Sequence, residues 1–347
     1  MNKLVIIGNG FDLAHGIETS YKNFILWFLN KRYFDHFNSI KDGSYFLVKK
    51  KNDKLLDITG NGTFGDSFKG FKSVSNFYDL TTGSYYIKHE FHDSFFEEIV
   101  KLSDNNWVDV EREYYKQLLK LSNKDEVVRL NESLDAIKIE LAEYLSQVKP
   151  ADYNEEIGHH FYSLKSDPNI EDIYVLNFNY TSNIEMYISC RQVERKLLNY
   201  IHGKLADKNN PIIFGYGDET DENYEKIEKL NDNVFLKHMK SFAYLQTPNY
   251  KNLFEFLDKK DEPFEVHIMG HSCGLSDRLL FTHILEHPNL HSVKIYYYDK
   301  GNGQNDFFEK TQELSRYFRK DEKHKMRKVI VPFNESVPLL KYKSNEN

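Results

Sequence analysis

Residues 4–21 read LVIIGNGFDLAHGIETSY, an apolar run that reaches Gly8, Asn9 and Gly10 and continues into Phe11, Asp12 and His15. Glycines at the end of a strand let the backbone turn tightly and let a ligand come close. The free amides of a helix beginning near Phe11 would face the same point, which is how α/β proteins hold pyrophosphate. The G-x-G-x-x-G spacing is broken, because Leu13 stands at the third glycine position. Alone, the stretch reads equally as a tight turn, and Asp12 equally as a helix cap.

Four more strand-like runs end in groups able to do chemistry. In VLNFNYTSNIE (175–185), Asn177, Asn179, Tyr180 and Thr181 follow an apolar run. At the carboxyl edge of a sheet, such amides and hydroxyls can orient a ribose or a water without adding charge. In YIHGKL, His202 precedes Gly203, and a neutral imidazole there can act as a general base near pH 7. IIFGYGDE supplies Gly215, Gly217, Asp218 and Glu219, while VHIMGHSCGLSD supplies Gly270, His271, Ser272, Gly274 and Asp277. Each has a plainer reading: Asn179 can satisfy its own loop, and a lone histidine is more often structural. Five such strand ends together point to one cleft along one edge.

The elements that position these groups alternate. Runs at KLVIIG, DIYVLNFN, LNYIHG, PIIFGYG, EVHIMGHS, SVKIYYYD and KVIVPF read as strands. Helical periodicity appears at Tyr21 to Leu29, at Ser182 to Arg195 and in the charged stretch after Asp218. This predicts an α/β fold, a Rossmann-like, mostly parallel sheet with helices on both faces and a largely helical insertion. The core is expected to comprise residues 1–32 and 150–335, the insertion 33–149 (loops or hairpins, then helices), and a flexible tail 336–347. Within the insertion, Val127, Leu130, Leu134, Ile137, Leu141, Tyr144 and Val148 form a seam that wants another helix against it. Packing on its own neighbour, Tyr115 to Leu121, and pairing with a second copy of the chain both satisfy that need.

With 347 residues, 40% of them hydrophobic, the chain can fill a substantial core, rich in its 26 Phe and 24 Tyr. A net charge of -7 gives no overall reason to bind nucleic acid or an anionic membrane. No run approaches the roughly 18 apolar residues of a membrane span. The two cysteines, Cys190 and Cys273, lack the spacing of a zinc site, so the reading is a soluble protein of the reducing cytoplasm with no metal required.

Taken in order, IIGNGFDLAHG, NNWVDVE (105–111), NFNYT, IHG, FGYGDE and GHSCGLSD resemble the AbiH family of bacterial abortive-infection proteins, which protect a population from bacteriophage. The resemblance spans residues 4 to about 300 and implies a phage-derived trigger. NYT followed by HG and a late MGHSCGLSD is also similar to sirtuin-like domains that cleave NAD. That likeness implies Asn179 as the residue positioning the ribose hydroxyls and the attacking water, and His202 as the base. It implies nucleotide contacts from Gly8, Gly10, Ser272 and Asp277, and the strand-end reading adds Asn9, Phe11, Asp12, His15, Asn177, Tyr180, Gly215, Gly217, Asp218, Gly270 and His271 to the same cleft. The sequence departs from that pattern at Asn9, Phe11 and Asp12, and Thr181 stands where those domains carry Asp.

Rival readings use the same residues. A non-catalytic module could sense a nucleotide and assemble through the Val127 to Val148 seam. GHSCG (270–274) fits a nucleophile elbow, with Ser272, Asp299 and His324 in order for a serine hydrolase. Asp12, Asp218, Glu219 and Asp277 could gather Mg²⁺ for a nuclease.

Overall fold

The computed structural model describes residues 1–40, 54–60, 68–84, 86–103, 110–166, 171–188, 197–217, 221–259 and 262–342. Their strands, in chain order, are β1 (Asn2–Ile7), β2 (Leu56–Gly60), β3 (Ile87–Phe91), β4 (Ile173–Asn177), β5 (Leu198–Tyr200), β6 (Phe264–Met269), β7 (Leu290–Tyr297), β8 (Asp299–Gly301), β9 (Gln304–Asn305) and β10 (Val337–Pro338). Six of them pair in the order β10-β7-β6-β1-β4-β5, all parallel. Numbered by sequence within the sheet, that order is 6-5-4-1-2-3, the arrangement of dinucleotide-binding folds. The mostly parallel α/β architecture read from the strand runs is therefore the fold observed.

β1 is apolar on consecutive residues because both of its faces are covered. Leu4 and Ile6 pack with the helices Asn249–Leu257 and Arg278–Glu286, through Leu253, Phe256, Phe281 and Ile284. Val5 and Ile7 pack on the opposite face with Phe11 and with Ile157 and Phe161 of the helix Glu155–Lys165. Each such fully buried Phe, Leu or Ile contributes about 1.5–3 kcal/mol relative to exposure.

Two expected strands are not strands. PIIFGYG runs as irregular chain, with a single parallel bridge from Tyr216 to Met239. KVIVPF ends the helix Lys323–Val329, and only Ile330 bridges to Val293. There the apolar residues Met326 and Val329 are spaced by three, which seats one face of a helix on the core. Of the helix expected over Ser182 to Arg195, Glu185–Ile188 is present, and 189–196 lie outside the described residues. β10 adds the sixth strand at the start of the expected tail, its Pro338 tolerated because the strand is an edge. Leu339 beyond it is buried.

Contacts divide the chain into two compact units, Met1–Glu18 with Val148–Glu225 and Met239–Asn347, and Thr19–Gln147 with Lys226–His238. The first holds the parallel sheet. The second holds the helices Tyr21–Ile40, Val74–Thr81, Ser94–Ser103, Val110–Leu118 and Lys124–Gln147 beside the antiparallel β2–β3 pair. Its core is aromatic, with Phe24, Phe28, Phe77, Phe96 and Tyr114 fully buried. The seam residues Val127, Leu130, Leu134, Ile137, Leu141 and Tyr144 are buried inside this same unit, which is the intramolecular packing. That use leaves the seam unavailable to a second copy.

Candidate functional site

β1 and β6 lie side by side at the point where the strand order reverses, and their outgoing loops touch through backbone. Gly10 N–H donates to Gly270 O at 2.7 Å, Gly8 N–H to Met269 O at 3.2 Å and Phe11 N–H to Gly8 O at 2.8 Å. A Cβ on Gly8 would stand 2.5 Å from His271 Cα, and one on Gly10 would stand 2.7 Å from Gly270 O. The glycines at 8 and 10 thus serve a close approach of two loops, and these three amides are already spent within the chain. The helix that follows, Asn9–Ala14, is a short one closed by His15. His15 Nδ1 lies 2.7 Å from Phe11 O, and its Nε2 lies 2.6 Å from the Tyr187 hydroxyl.

Two polar clusters flank this closure. In the first, Asp12 does not cap its helix but reaches the loop after β4. Thr181 Oγ1 donates to its Oδ2 at 2.6 Å and Asn183 Nδ2 to its Oδ1 at 3.1 Å. Asn179 lies between the two strand ends: its Nδ2 donates to Gly8 O at 3.1 Å, and its own N–H donates to Asn177 Oδ1 at 3.0 Å. Asn177 Nδ2 in turn donates to Thr181 O at 3.3 Å. Burial raises the Asp12 carboxyl above its ordinary range, against the lowering effect of Thr181 and Asn183. Beside this cluster, Tyr200 Oη and Lys204 Nζ both donate to Glu185 Oε1, at 2.7 and 2.6 Å.

The second cluster is built on Asp277. Lys240 Nζ donates to Asp277 Oδ1 at 2.8 Å, His202 Nε2 stands 3.1 Å from the same oxygen, and His271 Nε2 stands 3.6 Å from Oδ2. All four side chains are buried, Lys240 completely so. Burial lowers both imidazoles, His271 to about 3, so both are neutral at pH 7. Asp277 is held well below the usual carboxylate range: burial opposes its charge, but Lys240 and His202 overcome that. Phe178, between Asn177 and Asn179, joins the clusters by packing edge-on to His202 and His271 at 5.0 and 4.3 Å between ring centres.

The remaining predicted residues are placed as follows. Tyr180 Oη donates to Ile213 O at 3.0 Å. Gly215 and Gly217 are buried, and a Cβ on Gly217 would meet Ser276 O at 3.1 Å. Asp218 and Glu219 lie outside the described residues, as do residues 105–109 of NNWVDVE; Glu111 is buried in the helix Val110–Leu118. Ser272 is exposed, and the positive φ of 58° falls on its neighbour Cys273. Asp299 accepts from Gly301 N–H, and His324 Nδ1 is 3.1 Å from Asp321 O. Among the described residues no hydrogen bond links Ser272 to either, so the hydrolase triad is not assembled. Nor, among them, are three His, Cys, Asp or Glu side chains grouped to hold a metal ion. Sequence reasoning missed Lys240, Tyr244 and Asn183, since none sits at a strand end beside a glycine.

A parallel sheet in this order, with polar side chains gathered at the carboxyl ends of β1, β4 and β6, defines an α/β protein of Rossmann-like architecture. The sequence matches the family described as Bacteriophage abortive infection AbiH over residues 4–299, and the chain belongs to that family. Its role is accordingly in abortive infection by bacteriophage. No curated protein matches the chain. No helix among the described residues is long and apolar enough to cross a membrane.

Proposed function

We propose that this abortive-infection protein binds NAD at the carboxyl edge of its parallel sheet and hydrolyses the nicotinamide N-glycosidic bond when infection triggers it. The observation that carries the reading is the position of Asn179. It stands just past the end of the second strand of a 3-2-1-4-5-6 sheet, bonded to Gly8 O, at the carboxyl edge where open α/β sheets bind their ligands.

In the reaction, the C1′–N bond breaks and its electron pair passes to the nicotinamide ring, which cancels the pyridinium charge. Water adds to C1′ through an oxocarbenium-like state and loses its proton to a base. NAD and water give nicotinamide, ADP-ribose and a proton. The protein's share is to hold the ribose, place the water and take the proton. Asn179 serves the first two tasks, and His202, neutral at pH 7, the third. The closed contact of Gly10 on Gly270 and the burial of His202 suit a resting state that a phage-derived trigger must open.

The same burial favours a second reading, a module that senses a nucleotide without turnover. The two separate when purified protein is incubated with NAD, with and without lysate of infected cells, and nicotinamide is followed by chromatography. The proposal expects release by the wild type, reduced at least about 100-fold by Asn179→Ala, His202→Ala and His202→Gln. Binding of NAD with no release under either condition would overturn it and leave the sensing module.

A further inference from the structure

We propose that Asp277 is the positioning residue for His202 and Lys240 its buried counter-ion, a pair that fixes the imidazole with its proton on Nε2 and leaves Nδ1 to receive a proton. The catalytic use of that nitrogen rests on the N-glycosidic reading above, while the tautomer does not.

The geometry allows little else. Lys240 has no exposed side-chain surface and donates to Asp277 Oδ1 at 2.8 Å. A buried ammonium of this kind keeps its charge only beside a carboxylate, so Asp277 is ionised and can only accept. His202 Nε2, 3.1 Å from the same oxygen, must therefore be the donor. The Tyr244 hydroxyl lies 3.1 Å from that nitrogen as well. Two rings then restrain the imidazole: Phe178 meets it edge-on, and Tyr244 lies nearly parallel to it, 13° from coplanar.

The other carboxylate oxygen faces His271. His271 Nδ1 accepts the Cys273 N–H at 2.9 Å, which puts its proton on Nε2, 3.6 Å from Asp277 Oδ2. Lys310 Nζ donates to His271 O at 2.7 Å and Tyr317 Oη to the carbonyls of Cys273 and Gly274, so the loop carrying His271 is tied from behind. With both oxygens facing donors inside the protein, Asp277 orients the base and is not a contact to the nucleotide. The groups that face His202 are thus Asp277, Lys240, Tyr244 and His271.

The test is a long-range proton–nitrogen correlation of the full-length protein labelled at histidine, followed from pH 5 to 8 without substrate. The expected result is a neutral His202 carrying its proton on Nε2. In Lys240→Met, the loss of the neighbouring cation moves the His202 titration upward. In Asp277→Asn, the tautomer shifts toward Nδ1–H. A wild-type His202 protonated on Nδ1, or an unchanged titration in Lys240→Met, would overturn the proposal even if Asp277→Asn does not fold. Nicotinamide release on the same samples keeps the two claims apart. The Nε2–H signature without release sinks the NAD reading alone, whereas release with a pH profile unmoved by Lys240→Met sinks the positioning role alone.

Discussion

Replacing Asp277 by Asn removes one charge and almost no volume, so its cost measures the electrostatics of the buried cluster. At 2.8 Å and an effective dielectric of about 20, the Lys240–Asp277 attraction is about 6 kcal/mol gross. Desolvating each ion offsets several kcal/mol of that, and a completed buried pair is therefore worth little against apolar side chains. Removing one partner is different, because the other charge is left in place. Asp277→Asn is expected to cost about 3–5 kcal/mol. Lys240→Met costs less, because His202 still donates to the carboxylate. Removing both charges, in Asp277→Asn with Lys240→Met, recovers at least half of the loss. Hydrogen exchange of β1 and β6 reads this directly, since 3–5 kcal/mol lowers protection by about 10²-fold to about 4 × 10³-fold. A cost of Asp277→Asn below about 1 kcal/mol, or a double variant no more stable than the single one, would refute the buried-pair argument.

Acid should weaken the fold through its buried histidines. His271 binds its proton only near pH 3 in the folded chain but near pH 6.5 when unfolded, so the unfolded state takes up protons first as pH falls. Stability is full above about pH 6.5, drops by about 2 kcal/mol for His271 by pH 5, and stops falling below about pH 3, with buried His202 and His267 shifted in the same direction. An unfolding midpoint in urea that is equal at pH 7 and pH 5 would contradict this. Gly10→Ala forces a Cβ to within 2.7 Å of Gly270 O, at an expected cost of about 1–3 kcal/mol in thermal unfolding. Gly303→Ala, positive in φ but in open space, costs about 1 kcal/mol, and equal effects at the two sites would remove the close-packing account. Ser272→Ala should raise KM for NAD a few-fold while keeping kcat, whereas a loss of kcat beyond about 10³-fold would revive the serine-hydrolase reading.

The strands that form the sheet were legible because a strand buried on both faces is apolar on consecutive residues, as β1, β4 and β6 are. IIFGYG has the same composition, but its glycines favour an irregular path, and it makes one bridge instead of a ladder. Polar residues at strand ends marked Asn179, His202 and Asp277, and the fold sets His202 3.1 Å from Asp277 and Asn179 against Gly8. They did not distinguish Asp12 bonded to Thr181 from Asp12 capping a helix, since both use the same side chain next to the same turn. Lys240 was invisible: a lysine in a charged stretch reads as solvated, and only the fold brings Asp277, 37 residues on, against it. The spacing of Gly8 and Gly10 was explained by phosphate and is met in the fold by Gly270 and His271, because a missing Cβ admits a backbone as readily as a ligand.

The central claim, cleavage of NAD at the Asn179 and His202 edge, is tested most directly inside infected cells. The measurement is total NAD through one round of phage infection in cells expressing the wild type, Asn179→Ala or His202→Gln at matched levels. The account predicts that NAD falls with the wild type as protection appears, and that both variants lose the fall and the protection together. Protection by the wild type with NAD held at its uninfected level would contradict it.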